Sequence, residues 1–123
     1  MQKTVIKTEK APSSALYSQG ILAGNFLFTA GQLPLKDGVL VSEIKAATAQ
    51  ALDNVIAIVE AGGSSLAQVV KVVVYLADIG DYDAMNEVYL SYFPSEPPAR
   101  ACFQAAKLPK DAVVEIEAIA IKG

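Results

Sequence analysis

The sequence predicts an α+β domain in which two helices cover one face of a mixed β-sheet, in the order β-β-β-α-β-α-β-β. Three observations carry that expectation. Two segments repeat apolar residues at three- and four-residue spacing, the period of a helix with one buried face. The segments around them alternate or run β-branched, as strands do. Turn chemistry separates the two kinds, at Gly24-Asn25, Asp37-Gly38, Gly62-Gly63 and Pro94-Ser95-Glu96-Pro97-Pro98.

Residues 3–8 alternate and read as an edge strand, followed by the loop Ala11-Pro12-Ser13-Ser14. Residues 20–30 read as one or two strands around Gly24-Asn25, and residues 32–42, with Pro34, as a turn region. Residues 43–61 form the clearest helix, with Ile44, Leu52, Val55, Ile56 and Val59 on one face. Ser42 is its expected N-cap, Glu43 suits the positive end of the dipole, and Gly62-Gly63 ends it. Ser65-Leu66-Ala67-Gln68 has the form of a capping box on a short turn. Residues 69–77 are a β-branched run and hence a buried strand. Residues 78–93 are the second helix, capped by Asp78, with Ile79, Tyr82, Met85, Val88, Tyr89 and Tyr92 as its apolar stripe. The proline-rich segment stops it. Residues 99–106 and 112–121 are the last strands, joined by Lys107-Leu108-Pro109-Lys110-Asp111.

The chain has 123 residues, of which 53% are apolar and 19% charged, so a single domain spanning 1–123 with a modest core is expected. So high an apolar share in so small a chain favours burial between subunits, hence a closed homo-oligomer. The net charge is −3 and the lysines are scattered, which makes nucleic acid a poor partner. The absence of histidine excludes a Ser-His-Asp triad, a histidine base and every histidine-bearing metal site. One cysteine, Cys102, excludes an intrachain disulfide and a cysteine-cluster metal site. With no signal-peptide core at the N-terminus and no apolar run of membrane-spanning length, the expected location is the cytoplasm.

Chemistry concentrates in the last two strands. Arg100, Cys102 and Gln104 share one face of the first, and Glu115 and Glu117 share a face of the second. On pattern alone Arg100 and Glu115 read first as solvent-facing charge on a half-exposed sheet. Their functional alternative is definite: an arginine fork grips a carboxylate with two hydrogen bonds, and a glutamate directs a water. A simple hairpin register sets Arg100 opposite residues near Ile119, so spacing does not bring the pair together. Cys102 reads as a buried thiol or a ligand-lining one, Tyr17 as a packing tyrosine, Gly31 as a turn or bulge glycine, and Asn86 as solvent-facing.

Taken together, these residues resemble the Rid (YjgF-type) family of reactive intermediate deaminases. The likeness runs from about Lys3 to Lys122. It is most specific at Pro98-Ala99-Arg100-Ala101-Cys102, at Lys107-Leu108-Pro109-Lys110-Asp111 and at Val114-Glu115-Ile116-Glu117-Ala118-Ile119-Ala120. Tyr17-Ser18-Gln19-Gly20, Ala30-Gly31-Gln32-Leu33-Pro34 and Leu52-Asp53-Asn54-Val55 support it. The resemblance implies a chorismate-mutase-like fold, a homotrimer with sites between subunits, and hydrolysis of enamines or imines to 2-keto acids and ammonia without a cofactor or metal. By the same likeness Arg100 and Glu115 are catalytic, and Tyr17, Gly31, Asn86 and Cys102 line the substrate pocket. Two positions depart from the family pattern: Ala15-Leu16 stands where Gly-Pro is common, and Ala30 where serine is common. Both bear on substrate preference and neither touches the central pair. Other roles attached to such a chain are ribonuclease or translation inhibitor, a non-catalytic ligand-binding module using the same cleft, and a holdase-type chaperone.

Overall fold

A computed structural model describes residues 2–123. Eight strands and two helices follow one another: β1 Lys3–Ile6, β2 Gly20–Ala23, β3 Phe26–Thr29, β4 Leu35–Lys36, β5 Val39–Leu40, α1 Ile44–Ala61, β6 Val69–Leu76, α2 Tyr82–Tyr92, β7 Ala99–Gln104 and β8 Val114–Ile121. Six of the strands form one sheet in the order β1-β2-β3-β8-β6-β7. Only the β6–β7 pair is parallel, because α2 carries the chain back over the sheet between them. The expected α+β architecture is therefore the observed one. The segment read as a turn region also holds the small hairpin β4–β5, closed over Asp37 and Gly38, both at positive φ.

β8 alternates cleanly. Val114, Ile116, Ala118 and Ala120 are buried, while Glu115, Glu117 and Ile119 are half-buried on the other side. Val72, Val74 and Leu76 of β6 join the buried set and face the helices. From α1 come Ala47, Ala51, Leu52, Val55, Ile58 and Val59. Ile58 is buried and Ile56 only half-buried, so the inner stripe is rotated slightly from the expected one. α2 contributes Met85 and Tyr89. Ile79 belongs to a short 3₁₀ turn before α2 and is 47% exposed, so it is no part of that helix's stripe.

The helix ends differ in detail from the expectation. Glu43, not Ser42, caps α1: its carboxylate accepts from the Lys45 N–H. A carboxylate adds its charge to the dipole interaction, which a serine hydroxyl cannot. At the other end Ser64 N–H donates to Val59 O at 3.0 Å and Gly63 N–H to Glu60 O at 3.0 Å. That double bond pattern needs a left-handed residue at Gly63, whose φ is 85°. Asp78 caps the 3₁₀ turn, accepting from Gly80 N–H at 2.8 Å, and α2 proper starts only at Tyr82. The Ser65 hydroxyl bonds the Gln68 side chain at 3.1 Å and no backbone N–H, so the expected capping box is not formed.

Candidate active site

The predicted site residues fall into two groups on opposite sides of the sheet. Glu115 lies on the face away from the helices, in register with Tyr75 of β6. Arg100 lies on the edge strand β7, in register with Val72, and points to the helix side, where it meets α2. β6 separates the two strands, so the hairpin register expected from their sequence adjacency does not exist. Two strand spacings and three residues of rise put the two backbones roughly 14 Å apart. One chain alone therefore does not bring Arg100 and Glu115 onto a common substrate.

The Glu115 group is built by loop closure onto β8. β3 ends at Thr29, whose hydroxyl accepts the Ala118 N–H at 3.0 Å in place of a strand partner. The chain then swings across, and Gln32 and Ile116 exchange backbone hydrogen bonds at 2.7 and 3.1 Å. This presses Gly31 against the Glu115 side chain. A Cβ at Gly31 would stand 2.0 Å from Glu115 Oε2. The glycine is thus required by the carboxylate's position, a close approach of backbone to a functional group. Tyr17 and Lys110 line the same cavity of about 660 Å³. Lys110 enters it from a turn held at a φ of 59°. The Tyr17 loop is stapled from beneath by Gln19, a buried amide that accepts from Thr8 N–H at 2.9 Å and donates to Thr8, Ala11 and Pro12 carbonyls at 2.9 to 3.0 Å. The Asn54 amide of α1 holds the next loop by donating to Leu33 and Leu35 carbonyls at 3.1 and 3.0 Å. Burial, and then the neighbouring Glu117 charge, push the Glu115 carboxyl above its ordinary range. Glu117 is itself engaged, accepting from the Tyr75 hydroxyl at 2.5 Å, and that bond helps push the Tyr75 phenol up to about 12.

The Arg100 group is built by α2. Residues 82, 86 and 89 lie one helical turn apart on one face. Arg100 Nη1 donates to Asn86 Oδ1 at 2.7 Å and Nη2 to the Tyr82 oxygen at 3.1 Å. Its guanidinium carbon lies 4.7 Å from the Tyr89 ring centre and 5.6 Å from that of Tyr82. Asn86 is therefore not a solvent-facing residue; it orients the arginine. Cys102 sits half-buried beside Arg100, and burial raises its thiol above the ordinary value while Arg100 pulls the other way. A thiol kept protonated is a lining group and a poor nucleophile. Arg100 is the only arginine of the chain, and among the described residues it makes no salt bridge. Its positive charge rests on neutral acceptors, with three of its five N–H donors unspent.

Sequence reasoning missed Tyr82, Gln19 and Lys110. Tyr82 reads from its spacing as one more apolar stripe residue, and its hydroxyl gains meaning only once α2 lies over β7. No sequence signal distinguishes it. Gln19 sits in a segment marked by the family resemblance, but its burial depends on the loop closing over it.

Residues 8–122 match the family described as Endoribonuclease L-PSP, which is the Rid or YjgF family. The chain belongs to this family. A RutC family protein of Pyrococcus horikoshii is 53% identical over 98% of both chains. The 2-iminobutanoate/2-iminopropanoate deaminase of Escherichia coli is 42% identical over 99% of both. Among solved structures, the YjgF gene product of Escherichia coli superposes with a TM-score of 0.94 at 39% identity, covering 98% of this chain and 99% of that one. TdcF of Escherichia coli, solved with bound serine, gives 0.93 at 37% identity over 98% and 99%. The family fold is thus the fold seen here. Among the described residues, no helix is long and apolar enough to cross a membrane.

Proposed function

We propose that this Rid-family chain is an enamine/imine deaminase that converts 2-aminoacrylate, 2-iminopropanoate and 2-iminobutanoate to 2-keto acids and ammonia. It does so as a homotrimer in the cytoplasm, with each site formed between two subunits. The carrying observation is the state of Arg100: a sole arginine, held on Asn86 and Tyr82, with its charge unneutralised and donors to spare. Such a group takes a small carboxylate in a fixed pose. Deaminase-named relatives that match end to end support the choice of reaction. A relative holding serine, itself a small α-amino carboxylate, supports the size and charge of the ligand.

In this mechanism the enamine tautomerises to the imine, whose carbon is electrophilic. Arg100 of one subunit holds the carboxylate and supplies orientation. Glu115 of the neighbour, made more basic by burial and by Glu117, accepts a proton from water as the water oxygen bonds to the imine carbon. Glu115 returns that proton to nitrogen, giving the carbinolamine; the hydroxyl proton then moves to nitrogen as the C–N bond breaks and the carbonyl forms, so ammonia and the keto acid leave. Tyr17 and the Gly31 backbone border the Glu115 side of the substrate, and Asn86 and Cys102 the Arg100 side.

The trimer reading is supported by the open face of the sheet, where Val5, Phe26, Phe28, Phe103 and Ile121 are each 40% to 51% exposed. A ribonuclease reading has less support, since the chain carries no histidine and a net charge of −3. The test is breakdown of 2-iminobutanoate by Arg100→Ala. We expect kcat/KM to fall at least about a hundredfold, the scale for losing a charged, bidentate contact. An undiminished rate refutes the proposal. Arg100→Lys is expected to recover little, because lysine lacks the planar fork.

A further inference from the structure

We infer that Tyr82 is a second hydrogen-bond donor to the substrate carboxylate, acting beside Arg100 and setting the preference for a carboxylate over an uncharged group. This rests on the reading of Arg100 as the carboxylate anchor. The Tyr82 oxygen accepts from Arg100 Nη2 at 3.1 Å, so the direction of that bond leaves the phenol's own proton free. No acceptor for that proton exists among the described residues. Tyr82 is 39% exposed, and its bond to Arg100 lies at the exposed surface.

The other members of the cradle are not available in this way. Asn86 Oδ1 is an acceptor already bound to Arg100, and the Tyr89 hydroxyl is buried without a partner while its ring packs against the guanidinium. A carboxylate on the unspent N–H groups of Arg100 places an oxygen about 2.8 Å from a guanidinium nitrogen. The Tyr82 oxygen stands at a similar distance from Nη2, so the two oxygens are neighbours and the phenol O–H bridges them. The bond is charge-assisted for an anionic ligand and correspondingly weaker for an uncharged one.

Binding of 2-oxobutanoate and of 2-oxobutanamide by calorimetry, with KM and kcat on 2-iminobutanoate, tests this in wild type, Tyr82→Phe and Arg100→Ala. Phenylalanine keeps the ring over Arg100 and removes only the hydroxyl. Tyr82→Phe is expected to weaken 2-oxobutanoate about tenfold and raise KM by a similar factor, with kcat within about twofold. Its preference for the acid over the amide should shrink by the same tenfold, whereas damage to the fold would weaken both ligands alike. If Arg100→Ala loses 2-oxobutanoate while Tyr82→Phe binds it as wild type does, the Tyr82 inference is overturned and the deaminase site stands. If Arg100→Ala binds it undiminished, the site reading itself fails.

Discussion

Glu115 carries a charge where water is partly excluded and a second carboxylate is near. Both causes favour the protonated form, so the folded-state pKa lies above the ordinary glutamate value of about 4.3. The unfolded chain returns to that ordinary value. Between the two, the folded protein holds the extra proton, and stability declines as pH rises through the folded value. Glu115→Gln removes that penalty. Its melting temperature should exceed wild type at neutral pH and converge with it below about pH 4; a difference independent of pH would contradict this. Activity should follow the opposite sense. If Glu115 is the base, the acid limb of kcat/KM should lie above the ordinary glutamate range, because a carboxylate accepts a proton only when ionised.

The site depends on where β3 stops and what the following loop does. Thr29 ends the strand pairing, the Gln32–Ile116 bridge pins the chain again, and Gly31 between them lies against the carboxylate. The glycine has a negative φ, so alanine is allowed there conformationally. It is excluded only by Glu115, whose flexible end can turn aside. Gly31→Ala should therefore melt within a few degrees of wild type while kcat falls about a hundredfold, the scale of an ångström-level misplacement. Loss of stability without that loss of rate would place the glycine's role in the fold instead. Strand and helix existence were legible from period and turn chemistry, because those signals are local. Cap identity, the small β4–β5 hairpin and the start of α2 were not, because competing local hydrogen bonds of similar strength decided them.

At the scale of the molecule, the two halves of the candidate site occupy opposite sheet faces and belong together only if chains assemble. Arg100→Ala and Glu115→Gln should each be nearly inactive. Unfolded together in equal amounts and refolded, they should recover about a quarter of wild-type activity, since each cleft then draws one intact Arg100 side and one intact Glu115 side at random. A site contained within one chain predicts no recovery, and that result would refute the shared cleft. The residue types for the chemistry were determined by the sequence itself: no histidine, one arginine, one cysteine and the family motifs around them. So were the faces within each strand, because alternation along a strand is a property of the backbone. The relation between strands was decided only by the tertiary structure. The parallel crossover through α2 inserts β6 between β7 and β8, and no local signal in either strand records which neighbour it will take. That insertion separates Arg100 from Glu115 in one chain and leaves them on opposite faces of the sheet.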